Sequence, residues 1–318
     1  MPRAMSHTVS VVFEGRNRSP VKILLSTDPF PDTGVSGRLM GTYQLSLIAL
    51  IQLLRSVRSR SMAVIPDQKV ATAVSNADAP WDEFDSQWYA DHNYGEIHPD
   101  DHAVISRVGR FFATRAIGRK RHAIDVGSGT NLYPALAMLP VAESITLWEY
   151  SASNVRWLEH GVRPYGQLWD PFWEALRESA PMYRRFQRPR AVLPAIAKVE
   201  KASVFALPEG LWDLGTMFFV AESITGIPTE FELATRNFLT SLRPGAPFAA
   251  AFIRNSRGYH VRDLRFPAVA VTEYEVRRVL RPYADELTVE HVAPGQAFRD
   301  GWDGMVLALG SRNRRPRP

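Results

Sequence analysis

The chain has 318 residues, of which 45% are hydrophobic and 22% charged; this is the composition of a water-soluble globular protein, with length for one large domain and attachments. It contains no cysteine, which excludes disulfide scaffolds, thiolate metal sites, iron–sulfur clusters and cysteine nucleophiles. The net charge of +5 is uneven: residues 1–61 carry eight Lys/Arg against three Asp/Glu, and Arg312, Arg314, Arg315 and Arg317 add four more, so the acidic body between them is not expected to bind nucleic acid.

In residues 1–61, Pro31, Gly34, Gly37 and Gly41 precede an apolar run from Leu45 to Leu54. A bilayer needs about 20 such residues, and the run lies far from Met1 without a small-residue cleavage signature. A disordered or weakly structured basic leader is expected, with Met62 as an alternative start and a membrane-surface helix as the sharper alternative. From residue 79 the pattern becomes regular. Trp81 to His98 is rich in aromatics and acids, and Pro99-Asp100-Asp101 then opens an apolar stripe of Val104, Ile105, Val108, Phe111 and Phe112 at helical spacing. The acids suit the dipole at that helix start.

Short apolar strands then alternate with amphipathic stretches. Ala123–Val126, Ile145–Glu149, Lys198–Ser203, Leu214–Ala221 and Pro247–Ile253 read as strands; Leu132–Leu139, Ser151–Val162, Thr229–Leu242 and Thr272–Tyr283 read as helices. Glu286–Val292 and Met305–Leu309 have only a loop between them and read as a hairpin. The pattern predicts a Rossmann-like α/β domain over residues 79–311: a mostly parallel seven-stranded sheet with helices on both faces and a C-terminal antiparallel hairpin. Residues 312–318 would be a disordered basic tail. Residues 163–196 are too long for an ordinary loop and carry Tyr165, Trp169, Phe172, Trp173, Tyr183 and Phe186. They read either as a cap over an acceptor pocket or as an extra helix, from Asp170 to Glu178, covering the sheet.

Chemistry in such a sheet gathers at the carboxyl ends of the strands, where their order reverses. Ile124-Asp125-Val126-Gly127-Ser128-Gly129-Thr130-Asn131-Leu132-Tyr133 marks that point, with a strand before it and a helix after it. Gly127 and Gly129 allow a sharp turn and close approach to a ligand. Glu149, at the tip of the next strand, has the spacing of a carboxylate that accepts hydrogen bonds from both hydroxyls of an adenosine ribose. A dinucleotide site wants a small residue where this chain has Leu132. S-adenosylmethionine, which carries no phosphate, therefore fits better than NAD(P), the alternative cofactor, which would make the protein an oxidoreductase.

At these residues the chain resembles the nicotinamide/phenylethanolamine N-methyltransferase family of class I methyltransferases, over roughly Trp81 to Leu309. The turn Ile124-Asp125-Val126-Gly127-Ser128-Gly129 with Leu132-Tyr133 is similar to that family's cofactor loop, and Glu149-Tyr150-Ser151 with Asn154 to its acidic segment. Tyr89 and Tyr94 resemble the paired tyrosines of its lid, which corresponds here to residues 81–98. The resemblance implies that Tyr89, Tyr94, Gly127, Ser128, Gly129, Tyr133, Glu149, Tyr150, Asn154, Lys201 and Ala202 line the cofactor site. Lys201 stands where the family has an Asp beside the adenine; Glu200 or backbone contacts would serve instead. Glu222 would face the acceptor, and Asn255, Ser256 and Tyr259 would line its pocket.

In-line transfer of a methyl group from a sulfonium needs alignment and water exclusion, and no metal. Tyr89, Tyr94 and Tyr133 offer aromatic walls, with cation–π attraction worth about 0.5–2 kcal/mol. Glu222, amid Phe218, Phe219 and Val220, would hold an amine or take its proton, with Tyr94 beside it; its bland reading is a capping or salt-bridged glutamate. His98 and His102 have the spacing of a metal pair but lack a third ligand set. Ser128 between glycines lacks the order of a nucleophile elbow, and Arg184, Arg185, Arg188 and Arg190 read as a solvated face. The expectation is a cytoplasmic S-adenosylmethionine-dependent methyltransferase, releasing S-adenosylhomocysteine, that acts on a small-molecule amine or N-heterocycle, with oxygen or carbon acceptors as alternatives. No nucleic-acid or membrane partner is expected, and a monomer suffices.

Overall fold

The computed structural model describes residues 73–116, 118, 121–163, 165–295 and 302–314. The leader over residues 1–61, and all of the basic tail beyond Arg314, lie outside these residues.

The described chain begins with two single turns, Asn76–Asp78 and Trp81–Glu83, followed by helices α1 (Ser86–Tyr94) and α2 (Pro99–Arg115). Asp85 caps α1 by accepting from the Trp88 N–H at 2.9 Å, satisfying one of the donors a helix start leaves open. Pro99 sits at the start of α2, where its missing N–H costs nothing. Alternation follows: β1 (Arg121–Val126), α3 (Tyr133–Met138), β2 (Ala142–Glu149), α4 (Ala152–Gly161), then α5 (Asp170–Ser179), α6 (Pro181–Arg185) and α7 (Pro189–Ile196) before β3 (Ala197–Lys201). The second half runs β4 (Leu214–Phe218), α8 (Pro228–Ser241), β5 (Pro247–Ile253), β6 (Tyr259–Val261), β7 (Leu264–Phe266), α9 (Glu273–Leu280), β8 (Ala284–Val292) and β9 (Met305–Arg312).

Seven strands form one sheet in the order β3-β2-β1-β4-β5-β9-β8. The first five are parallel, and β9 runs antiparallel to both β5 and β8. This is the Rossmann-like, mostly parallel sheet with a closing antiparallel hairpin that the sequence predicts. Its order reverses between β1 and β4, so a crevice opens beyond their carboxyl ends.

Strand β5 shows why the sheet is two-faced. Ala249, Ala251 and Ile253 join one buried cluster, packed with Val104, Phe112, Leu136, Phe172 and Leu176 of the flanking helices. Phe248, Ala250 and Phe252 join the other, with Phe231, Phe238, Val276 and Leu280 of α8 and α9. Successive side chains point to opposite faces, so a strand covered on both sides reads as a continuous apolar run.

Strands β3, β4, β6 and β7 depart from the sequence reading. Strand β4 stops at Phe218 instead of Ala221, because Phe219 takes a left-handed backbone, φ 61°. Strand β3 ends at Lys201 instead of Ser203. The three-residue strands β6 and β7 pair as a separate hairpin that was not anticipated. In the insertion, α5 coincides with the expected helix and α6 and α7 follow it; Phe172, Leu176, Tyr183 and Leu193 are fully buried. The Tyr183 hydroxyl donates to the Ala137 carbonyl at 2.7 Å. The segment thus covers the sheet and lines neither of the cavities described below. Arg190 pairs with Asp170 and lies over the Tyr165 ring at 5.2 Å, so that arginine helps hold the insertion in place.

Candidate active site

The turn after β1 is fixed from both sides. The Gly127 N–H donates to the Trp148 carbonyl of β2 at 2.7 Å, and the Ser128 hydroxyl donates to the Asp125 carbonyl at 3.1 Å. Gly127 has φ 65°, and a Cβ there would lie 2.5 Å from a Val220 methyl, so both the turn and the packing of the β4 tip require glycine.

Glu149 reaches across from the end of β2. Its two oxygens accept from the Gly129 N–H at 2.8 Å and the Ser151 N–H at 2.7 Å. The Asn154 side chain and the Tyr150 backbone add to these contacts, and the carboxylate so held lines the crevice. Burial raises the pKa of this carboxyl, and backbone donors from Ser151 and Gly129 work against that.

The segment expected to form a lid is tied to the start of α4. The Ser151 hydroxyl donates to the Trp81 carbonyl at 2.7 Å, the Ala152 N–H donates to Asp82 at 3.0 Å, and Ser86 of α1 donates to Asn154 at 2.8 Å. From the other side the β6–β7 hairpin meets the same segment. Tyr259 stacks on Phe266 at 5.5 Å, Phe266 meets Trp81 at 5.0 Å and Phe84 at 5.2 Å, and Arg262 pairs with Asp85.

The crevice is lined by Tyr89, Tyr94, Gly127, Ser128, Gly129, Glu149, Tyr150, Asn154, Ala202 and Tyr259, all anticipated from sequence. It is also lined by Asn76, Thr130, Asn131, Ser203 and Phe219, which were not. Next to it lies a second cavity of about 580 Å³, within the range of small-molecule sites. Tyr89, Tyr94, Phe219, Ser223 and Tyr259 line both, so an aromatic collar separates two compartments.

Five anticipated residues do not reach either compartment. Tyr133 is fully buried: its ring stacks on Phe172 at 5.2 Å and its hydroxyl donates to Asp101 at 3.0 Å. Lys201 is exposed at the end of β3, opposite Glu149 in register, leaving its neighbour Ala202 to face the crevice. Glu222 is fully buried and accepts from the Ile253 N–H at 2.9 Å and the Ser223 hydroxyl at 3.0 Å, tying the tip of β4 to that of β5. Asn255 donates to Asp303 at 2.9 Å, and Ser256 accepts from the Gly258 N–H at 3.5 Å; both hold the turn that leads to Tyr259. His102 faces Glu178 at 3.6 Å while His98 lines the second cavity. Among the described residues no group of three or more His, Cys, Asp or Glu is placed to hold a metal ion, and no helix is long and apolar enough to cross a membrane.

Two features bear on what the crevice accepts. The first turn of α3 has no N–H for a phosphate: the Tyr133 N–H is taken by the Asn131 side chain at 3.2 Å, Pro134 has none, and Leu132 to Met138 are all buried. Beside the turn, Asp125 Oδ2, Thr130 Oγ1 and Asn131 Nδ2 are buried without a hydrogen-bond partner among the described residues. Such atoms are expensive to leave unpaired unless a ligand satisfies them. They belong to the motif that the sequence marked, but nothing local reveals which of its polar atoms the fold leaves unpaired.

No protein-family model matches the chain, and no curated protein matches it with significance; the likeness to the nicotinamide/phenylethanolamine enzymes is one of short motifs. Solved structures do match. The N-methyltransferase NodS from Bradyrhizobium japonicum WM9, in complex with S-adenosylhomocysteine, is 13% identical, covers 72% of this chain and 92% of its own, and has a TM-score of 0.44. The 1,6-didemethyltoxoflavin-N1-methyltransferase of Burkholderia thailandensis is 15% identical over 72% of this chain and 86% of its own, with a TM-score of 0.43. A SAM-dependent methyltransferase from Methanosarcina mazei is 14% identical over 64% of this chain and 96% of its own, with a TM-score of 0.45. At these scores the chemistry has to be read from the crevice itself.

Proposed function

We propose that the protein is an S-adenosylmethionine-dependent methyltransferase acting on a small molecule, with nitrogen as the acceptor atom. The observation that carries this is the start of α3, where the donors that would bind a diphosphate are taken, absent or buried, while a carboxylate, Glu149, lines the crevice at the tip of β2. A nucleoside ligand without phosphates matches that pattern, and a dinucleotide does not. The buried polar atoms of Thr130 and Asn131, both on the crevice lining, match the zwitterionic end of an amino acid.

In this reading Glu149 holds the ribose, Ala202, Ser203 and Tyr150 border the base, and Gly127 to Asn131 hold the amino-acid end. When bound, the cofactor supplies an electrophilic methyl group. The chain's own part is alignment and exclusion of water. Tyr89, Tyr94 and Tyr259, with Phe219, form the collar through which the two compartments meet, and Tyr94 is nine-tenths buried there. Glu222 acts behind this wall, orienting Ser223, which lines both compartments. Oxygen and carbon acceptors would require different partners in the second cavity, and the fold alone does not select among them.

The test is calorimetric titration with S-adenosylhomocysteine and with NADH, followed by a screen of amines, phenols and N-heterocycles with radiolabelled methyl donor. Saturable binding of the first ligand only, and label transferred to an amine or heterocycle, is the expected result. Binding of NADH in preference would replace the reading with that of an oxidoreductase.

A further inference from the structure

The second cavity has an acidic floor that the fold only half explains. Asp100 and Asp101 occupy the first turn of α2, where the helix dipole favours acids, but an acid serves that purpose from the surface and these two are 2% and 4% exposed. Asp101 has an internal task, accepting from the Tyr133 hydroxyl at 3.0 Å. Asp100 uses one oxygen to accept the Asp101 N–H at 3.1 Å. Its other oxygen, Oδ2, is buried with no hydrogen-bond partner among the described residues, in a side chain that lines the cavity.

Around it the walls are Tyr89, Tyr94, Phe219, Tyr259, Trp302 and Met305. Burial raises both carboxyls, Asp101 to about 7, while at Asp100 the backbone N–H groups of Asp100 and Asp101, and then the neighbouring His98, work against the rise. Arg257, His260 and Arg265 also line the cavity, but they are exposed, and water screens them. His98 is half-buried beside Asp100, so the most deeply buried ionisable groups on this cavity are the two carboxyls. A buried carboxylate oxygen left without a hydrogen bond is costly, and a cation or an N–H donor arriving with the ligand removes that cost.

We propose that Asp100 is the specificity-determining residue of the acceptor site, and that the acceptor presents a protonated or N–H-bearing nitrogen on an aromatic or otherwise flat body, the nitrogen on Asp100 and the body against the aromatic walls. This rests on the methyltransferase reading only in calling the ligand an acceptor; the cation preference of the cavity is independent of it.

The experiment titrates the full chain, with and without S-adenosylhomocysteine, with benzylammonium, benzyl alcohol and benzoate, and repeats the series on Asp100→Asn. The substitution keeps an oxygen for the Asp101 N–H and removes the charge. Benzylammonium is expected to bind the unmodified protein roughly ten- to a hundredfold more tightly than benzyl alcohol, the range for a hydrogen bond to a charged group, and Asp100→Asn should abolish that preference. Benzylammonium that fails to bind, a preference for benzoate, or a preference that survives Asp100→Asn would overturn the proposal. Should the variant fail to fold, the comparison of cation with alcohol on the unmodified protein still decides. If S-adenosylhomocysteine does not bind, the methyltransferase reading falls, and titration of benzylammonium alone still judges Asp100.

Discussion

At the scale of single residues, two buried carboxylates do different work. Glu149 is tied to the backbone of two loops and lines the crevice, so on the proposed reading Glu149→Ala removes both a loop tie and a ligand contact. Calorimetry should show S-adenosylhomocysteine binding weakened by about 1–3 kcal/mol, the range for a hydrogen bond to a charged group or for leaving a buried donor unmade. Unchanged affinity would take Glu149 out of the site. Asp125 is governed by burial, which pushes its carboxyl up to about 7 against a hydrogen bond from Thr216 and with the Glu149 charge adding to the rise. The unfolded carboxyl titrates near 3.8, so between that pH and about 7 the folded protein keeps a proton that the unfolded chain has released. Stability then falls as pH rises through this window, by at most about 1.4 kcal/mol per pH unit for this group, and is constant above it. Asp125→Asn should therefore gain on the unmodified protein between pH 4.5 and pH 8 in thermal melts. A difference in melting temperature that does not change with pH would show that Asp125 does not titrate there.

At the scale of elements, what the sequence reveals depends on how local the cause is. The strand and helix alternation was legible because apolar periodicity is set by each element's own faces, and α5 matched its expected start because Asp170-Pro171 opens an amphipathic stretch. The β6–β7 hairpin was not legible. Tyr259–Val261 and Leu264–Phe266 are too short to show alternation, and Tyr259, Val261 and Phe266 are buried by meeting Phe84, on a segment far away in sequence. Glu222 was misplaced for a similar reason: the donor that it satisfies, the Ile253 N–H, lies 31 residues on. The hairpin and the first half of the lid, Trp81 to Trp88, form a small cluster of their own, while Tyr94 at the end of α1 is anchored in one of the two sheet clusters, which makes the hairpin and that first half a candidate for separate opening. Phe266→Ala removes the ring that meets Trp81, Phe84 and Tyr259, a loss that in a tight core costs about 3–5 kcal/mol. Here it should appear as faster hydrogen exchange over residues 81–88 and 259–266, with the sheet unchanged, and as weaker binding of S-adenosylhomocysteine. Faster exchange throughout the sheet would show that the lid is not an independent unit.

At the scale of the whole molecule, the crevice draws on parts of the chain that have little else in common. The turn after β1, the tip of β2, the end of β3, the bend at Phe219 after β4, the lid and the hairpin all contribute lining. The left-handed Phe219 is a conformation that costs about 1–3 kcal/mol in a residue with a side chain, and it lies where both compartments meet. The unpaired atoms of Thr130 and Asn131, on the crevice lining, add to the free energy held at this end of the sheet. A ligand that satisfies these groups binds the folded chain and not the unfolded one, so its binding free energy is added to folding. With S-adenosylhomocysteine at about a hundred times its dissociation constant, the gain is about 2.7 kcal/mol. For a domain of this size that corresponds to a rise in melting temperature of roughly 5–10 °C. NADH at the same concentration should leave the melting temperature where it is, since the start of α3 gives a diphosphate no donors. Scanning calorimetry with each ligand makes the comparison. A rise with NADH, or none with S-adenosylhomocysteine at concentrations that saturate other binding assays, would mean that the strain and the unpaired groups at this end of the sheet are not relieved by an adenosyl ligand.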